Sequence, residues 1–178
     1  MCACANCTAT VISRAMNIAA IPSLKAQLMS LVQAISQASA EDSMGNMLTP
    51  EQWDLLLPYL RPLELPAGQV LFGQGTTERT LYLVESGSLT VHYEDDQQRV
   101  RLAIVGPGSV VGEGAFFSHR PRSATVQAGP PTRLWNLTAI RFAEFANRHP
   151  DAALQLVMSI GAVQAKRLSN RRRRVAST

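Results

Sequence analysis

Gly112-Glu113-Gly114-Ala115-Phe116-Phe117-Ser118-His119-Arg120-Pro121-Arg122-Ser123-Ala124 sets an acid and a base on one tight loop. Gly112 permits a turn or the close approach of a ligand. If Glu113 to Phe117 form a short helix, its first free N–H groups make a seat for an anion. Arg122 arrives nine residues after Glu113, immediately before a strand. Its guanidinium forks onto phosphate oxygens more specifically than a lysine could, and Ser123 adds a hydroxyl. A carboxylate only accepts hydrogen bonds, so Glu113 suits a sugar hydroxyl near the anion and not the anion itself. The pattern implies a ligand that carries both an anion and a free hydroxyl.

Around this loop the chain is cut into short alternating runs punctuated by glycine: Gln69 to Phe72, Thr80 to Glu85, Ser88 to Tyr93, Arg99 to Val105, Ser123 to Gln127 and Thr132 to Leu137. Such texture predicts antiparallel strands. Leu81 and Leu83 alternate with Tyr82 and Val84, and Leu89, Val91 and Tyr93 alternate with Thr90 and His92. Glu85-Ser86-Gly87-Ser88 therefore reads as a hairpin turn, and Asp95 to Gln98 as a second. Many short strands packed closely in sequence predict a sandwich or roll, not a doubly wound sheet.

Helical spacing flanks the β region. Ile21, Leu24, Leu28, Leu31, Val32 and Ile35 predict an amphipathic helix over about 21–38. Thr49-Pro50-Glu51-Gln52 is a helix start, with an N-cap, a proline at N1 and a glutamine at N3, for a helix reaching about Leu57. Thr138 to Arg148 forms a short amphipathic segment. After Pro150 a longer one carries Ala153, Leu156, Val157, Ile160, Val163 and Leu168 on a stripe. The chain divides into an N-terminal segment 1–48, a domain 49–170 that includes the C-terminal helix, and a basic tail 171–178.

Residues 49 to about 170 resemble the cyclic-nucleotide-binding domain family, shared by catabolite-activator-type bacterial regulators, cyclic-nucleotide-dependent kinase regulatory subunits and gated channels. The resemblance is collinear: Leu65-Pro66-Ala67-Gly68, Leu71-Phe72-Gly73-Gln74-Gly75, Leu81-Tyr82-Leu83-Val84, Ser86-Gly87 and Gly106-Pro107-Gly108 fall in the family's order. It implies a mainly β fold, an antiparallel, jelly-roll-like β-roll with N-terminal helices and a C-terminal helix. The family's phosphate-binding cassette, a Gly-Glu pair, a short helix and an Arg before a small residue, corresponds to Gly112, Glu113, Arg122 and Ser123.

By that resemblance Glu113 binds the ribose 2′-hydroxyl, Arg122 and Ser123 bind the cyclic phosphate, and backbone amides near Gly114 and Ala115 complete the seat. The expected ligand-binding residues are thus Gly112, Glu113, Gly114, Ala115, Arg122, Ser123 and Ala124. Gly114 stands where the family usually has leucine, which weakens the short helix by about 1 kcal/mol. The C-terminal helix would close over the base and carry the signal, with Gln164, Lys166 and Asn170 as candidate base contacts. Its length and branched residues also suit a dimer seam.

Charge and composition exclude other classes. Of seventeen cations, six (Lys166, Arg167 and Arg171 to Arg174) lie at the C-terminal end, leaving eleven against thirteen acids elsewhere. The body is slightly acidic and the tail makes the protein basic. A charge run without a folded reading element gives only nonspecific affinity for nucleic acid. Catabolite-activator-type regulators continue into a helix-turn-helix domain, and only a few residues follow the helix in this sequence, so sequence-specific transcription control is not expected. Cys2, Cys4 and Cys7 are odd in number and confined to the first seven residues. They cannot staple the chain, and a usual zinc or iron–sulfur site wants a fourth ligand. His92, His119 and His149 lack metal-ligand spacing. Trp53 and Trp135 are expected in the core or an interface.

No run approaches a membrane span, and the start lacks a secretory pattern, so a cytoplasmic protein without catalytic residues is expected. The function these features imply is a stand-alone sensor. It binds a cyclic mononucleotide, cyclic AMP before cyclic GMP, needs no other cofactor, and signals through its C-terminal helix to a second copy or a separate effector. The alternatives are a non-binding scaffold or oligomerisation module of the same fold, in which Glu113 pairs with Arg122, and a nucleic-acid-associated regulator that uses the basic tail.

Overall fold

The computed structural model describes residues 23–39, 43–94 and 100–176. Cys2, Cys4, Cys7 and the expected turn Asp95 to Gln98 lie outside them. Ser23 caps the first helix, α1 (Leu24–Gln37), by accepting from the amide of Ala26, and α1 buries Leu28, Leu31 and Ile35. Thr49 begins α2 (Pro50–Leu56) with a full capping box: its hydroxyl accepts from Gln52, whose side chain accepts from the Thr49 amide. Pro58 then enters a 3-10 turn, Leu57–Tyr59, so the α-helix stops at Leu56.

Eight strands follow among the described residues. They are β1 (Arg61–Leu65), β2 (Val70–Phe72), β3 (Thr80–Ser86), β4 (Leu89–Glu94), β5 (Val100–Val105), β6 (Val110–Val111), β7 (Thr125–Ala128) and β8 (Thr132–Thr138). They form two four-stranded antiparallel sheets, ordered β1-β8-β3-β6 and β2-β7-β4-β5. A short helix α3 (Glu113–Ser118) links β6 to β7, and α4 (Ala139–Arg148) and α5 (Pro150–Ala176) close the chain. The antiparallel β-roll with flanking helices is the expected architecture.

The period of two along β3 divides the interior. Leu81 and Leu83, with Trp135 and Leu137 of β8, face a helical layer that supplies Leu28, Leu31, Ile35, Trp53, Leu56, Phe145, Leu156, Ile160 and Val163. Tyr82 and Val84, with Leu134, face the second sheet through Phe72, Leu89 and Val126. The first sheet is therefore buried on both faces, and β3 is buried from Thr80 to Glu85. Both tryptophans are core residues. Trp135 donates Nε1 to the buried Glu85 at 2.6 Å, Arg133 approaches the same carboxylate at 3.6 Å, and Arg133 also donates to Gln27 of α1 at 2.8 Å. A polar chain thus ties α1 to the roll while satisfying a buried carboxylate.

Two expectations need correction. Glu85 to Ser88 is not a hairpin, because β3 and β4 lie in different sheets; the segment is the crossover between them. The packing explains the difference: at Gly87, φ is 80°, and a Cβ would stand 2.6 Å from the Pro131 carbonyl. The glycine serves a close passage beneath the β7–β8 turn. On α5, Ala153, Leu156, Ile160 and Val163 are buried, but Leu168 is 59% exposed and leaves the buried stripe. The backbone of α5 continues as helix through Ala176. No described helix is long and apolar enough to cross a membrane.

Candidate functional site

Strand β6 delivers the chain to Gly112, whose φ of 85° and missing Cβ let the backbone turn directly into α3. A Cβ there would lie 2.3 Å from Arg122 Nη1 and 2.7 Å from the Thr80 carbonyl. Gly112 and Arg122, ten positions apart, are thus brought into direct contact: the Gly112 carbonyl accepts from Arg122 Nη1 at 2.9 Å and from the Phe116 amide at 3.1 Å.

Arg122 is only 2% exposed. Its backbone is pinned to the β2–β3 loop, donating to Thr76 at 2.7 Å and accepting from Gly75 at 2.8 Å. Its Nη2 donates to the Thr80 carbonyl at 2.8 Å, and the guanidinium carbon lies 4.0 Å over the ring of Phe72, which stacks on Tyr82. The cation rests on an aromatic face. Its Nε is buried and finds no partner among the described residues. Burial lowers the Arg122 pKa from the usual arginine range, against the opposing pull of Tyr82, Glu78 and Glu113. Glu78, just before β3, accepts from Thr80 Oγ1 at 2.6 Å and from the Tyr82 hydroxyl at 3.2 Å.

Glu113 starts α3, but its partner is not Arg122. Arg167 of α5 donates Nη1 to Glu113 Oε1 at 2.7 Å, and Gln164, one turn earlier, donates to the same oxygen. Arg167 Nη2 also donates to Ser109 Oγ at 3.0 Å and to the Val110 carbonyl at 2.9 Å. One guanidinium therefore joins α5, β6 and α3. The Glu113 side chain retains 14% exposure and that of Arg167 22%. The pairing of Glu113 with Arg122 that the scaffold alternative invokes is replaced by Glu113 with Arg167.

Of the remaining expected residues, Ala115 and Ala124 are buried beneath the loop, and Gly114 and Ser123 are exposed at its surface. A Cβ at Gly114 would meet nothing within 4 Å, and α3 forms in spite of that glycine. Gln164 touches Glu113, and Lys166 donates to the Ser43 carbonyl at 3.4 Å. Arg79, which donates to the Phe116 carbonyl at 3.0 Å at the end of α3, was not singled out by sequence reasoning, nor was Arg167. Periodicity finds apolar stripes, and neither cation lies on one. No group of His, Cys, Asp and Glu among the described residues could hold a metal ion.

An acid that begins a glycine-started helical turn, and a buried arginine that returns to the carbonyl of that glycine inside a β-roll, is the arrangement to which known proteins can be compared. The family described as the cyclic nucleotide-binding domain matches residues 62–149. Through those residues the chain belongs to the cyclic nucleotide-binding domain family. The Cyclic AMP receptor protein of Thermus thermophilus is 34% identical over 123 residues, covering 68% of this chain and 55% of that protein. The cAMP-dependent protein kinase regulatory subunit of Yarrowia lipolytica is 34% identical over 116 residues, 65% of this chain and 29% of that one. The chain thus spans about half of the first relative and under a third of the second. A cyclic nucleotide-binding domain from Methylobacillus flagellatus superposes with a TM-score of 0.75 over 86% of this chain and 84% of that one, at 18% identity, a likeness of fold. The fold is that of a regulatory domain, and the 112–124 loop lies within the matched residues.

Proposed function

We propose that the cyclic nucleotide-binding domain is a sensor whose ligand is a cyclic mononucleotide, cyclic AMP in the first place. The observation that carries this reading is Arg122: a buried guanidinium held by the Gly112 and Thr80 carbonyls, with its Nε unpartnered among the described residues. A buried cation bonded only to neutral acceptors is costly, and an anion beside it offsets that cost. The cyclic phosphate meets Arg122 and the exposed Ser123 at the loop, with the amides of Gly114 and Ala115 close by, and Glu113 accepts the ribose 2′-hydroxyl. Gly112 and Ala124 give the loop its close packing. The preference for cyclic AMP follows the relatives whose names state that nucleotide.

The output is a change in α5, the helix that touches Glu113, read by a second copy of the chain or by an effector protein. Supporting a second copy, Leu154, Met158, Gly161, Ala165 and Leu168 form an exposed row on α5 at alternating spacings of four and three, the seam of a coiled coil. The protein acts without catalytic residues and without a further cofactor.

Calorimetry with cyclic AMP, cyclic GMP and cyclic di-GMP tests the reading. Saturable heat with a cyclic mononucleotide, lost in Glu113→Ala and Arg122→Lys, is the expected result. No heat with any of the three, or undiminished binding in both variants, would favour the scaffold reading instead. Salt-dependent retention on DNA that disappears when residues 171–178 are removed would favour the nucleic-acid reading.

A further inference from the structure

We infer that Phe72 is a positioning residue of the ligand site: its ring face supports the Arg122 guanidinium in place of a carboxylate, and so holds the cation still while leaving its charge for an anion. The assignment rests on the proposed cyclic-nucleotide reading and adds to it a residue of β2, outside the 112–124 loop. A buried guanidinium bonded to an acid is fixed and neutralised together. An aromatic ring separates the two effects, because its negative face attracts the cation without cancelling the charge.

Arg122 is 2% exposed, yet both of its acceptors, at Gly112 and Thr80, are carbonyls. The carboxylate of the loop, Glu113, is bonded to Arg167 and Gln164 instead. The group that covers the guanidinium is the Phe72 ring, with Cζ 4.0 Å from its centroid. Stacking uses the face of the fork and leaves its N–H edge for acceptors. On that edge Nε finds no partner among the described residues.

The ring is itself held on three sides. Phe72 ends β2 opposite Val126 of β7 and is buried in the core between the sheets. It stacks on Tyr82, with centroids 5.9 Å apart and planes inclined by 27°, and the Tyr82 hydroxyl is fixed by Glu78 at 3.2 Å. The chain leaving β2 is then tied to Arg122 in both directions: Gly75 donates to its carbonyl at 2.8 Å, and its amide donates to Thr76 at 2.7 Å. Ring and guanidinium therefore belong to one framework. An aliphatic residue would fill much of the same space without the quadrupole, so the aromatic character of position 72 matters apart from its volume. Its effect on affinity acts through the population of Arg122 held ready for the ligand.

The test varies the electron density of the ring at nearly constant shape. The full chain carrying 4-fluoro-, 3,5-difluoro- or 3,4,5-trifluorophenylalanine at position 72 should bind cyclic AMP progressively more weakly, by about tenfold at three fluorines, since each fluorine weakens the face that holds the cation. Phe72→Leu should weaken binding at least as much. In the ligand-free chain, hydrogen exchange at the Arg122 Nε–H should quicken along the same series, which a ring that only fills space would not produce. An affinity that does not change with fluorine would overturn the assignment by showing a packing role alone. An affinity that rises with fluorine would overturn it by showing that the ring competes with the ligand for the cation. Failure of the unmodified chain to bind cyclic AMP or cyclic GMP would overturn the ligand reading itself, and this assignment with it.

Discussion

Arg122 donates through Nη1 to the carbonyl of Gly112 at 2.9 Å, so the buried cation of the 112–124 loop is fixed by the residue that starts its helix. The same guanidinium holds the Thr80 carbonyl at 2.8 Å and covers the Phe72 ring. Replacing it by alanine strands two carbonyls and opens a hole beside an aromatic pair. Arg122→Ala should cost about 2–4 kcal/mol of stability, measured by urea unfolding. Arg122→Lys keeps a charge but not the fork, so it should unfold at intermediate urea and bind cyclic AMP at least about a hundredfold more weakly. Retained affinity in Arg122→Lys would show that the fork is dispensable.

Gly112 is the counterpart of that contact. With φ at 85° and a built Cβ 2.3 Å from Arg122 Nη1, alanine at this position is strained by the backbone and by contact at once. Gly112→Ala should destabilise by about 2–4 kcal/mol and reduce cyclic AMP binding more than its effect on folding explains. Gly114→Ala is the control: its Cβ meets open space, and it should stabilise α3 by up to about 1 kcal/mol. A loss of stability of similar size in both variants would mean that glycine is needed along the whole turn.

The β-roll was legible because alternation along Thr80 to Glu85 and Thr132 to Leu137 is strong and the glycine punctuation is regular. The same alternation concealed the two-sided burial of the first sheet, since odd and even residues of β3 are both apolar and enter different cores. A turn-like Ser86-Gly87 does not say whether its strands pair, so the crossover read as a hairpin. Strands β1 and β6 carry weak local signals. Pro62 interrupts one, and the other is only two residues long. In the candidate site, Glu113 and Arg122 could be singled out together because they share one loop. Arg167 was not, because its contact spans 54 residues and nothing in local spacing marks one arginine among the basic residues at the end of α5.

Tyr82 provides a pH dependence. Burial first, then the Glu78 carboxylate that accepts its hydroxyl proton, pushes its pKa up to about 12. In the unfolded chain the phenol ionises near its ordinary value of about 10. The folded state keeps the proton where the unfolded state has lost it. The stabilisation is therefore complete below about pH 10 and is lost as pH rises through about 12. Between those values the wild type should lose up to about 2–3 kcal/mol more stability than Tyr82→Phe, followed as urea midpoints against pH. Parallel curves for the two proteins would show that Tyr82 ionises as easily folded as unfolded.

On the proposed reading, the outer face of α5 is the surface that would meet a second copy. Leu154 at 58% exposure, Met158 at 55% and Leu168 at 59% lie with Gly161 and Ala165 in one row, opposite the buried Leu156, Ile160 and Val163. Large apolar residues at the ends and small ones in the middle let two helices approach closely, and the four-three spacing keeps the row facing its partner. The chain should therefore sediment as a dimer at micromolar concentration. Leu154→Glu with Met158→Glu should convert it to a monomer while the thermal transition of the roll changes little, because neither side chain enters the core. Monomeric wild-type protein, or a dimer that survives both charges, would place the partner surface elsewhere on the domain. If the dimer is ligand-linked through α5, cyclic AMP should shift the dimer midpoint in the wild type and lose that effect in Arg167→Ala.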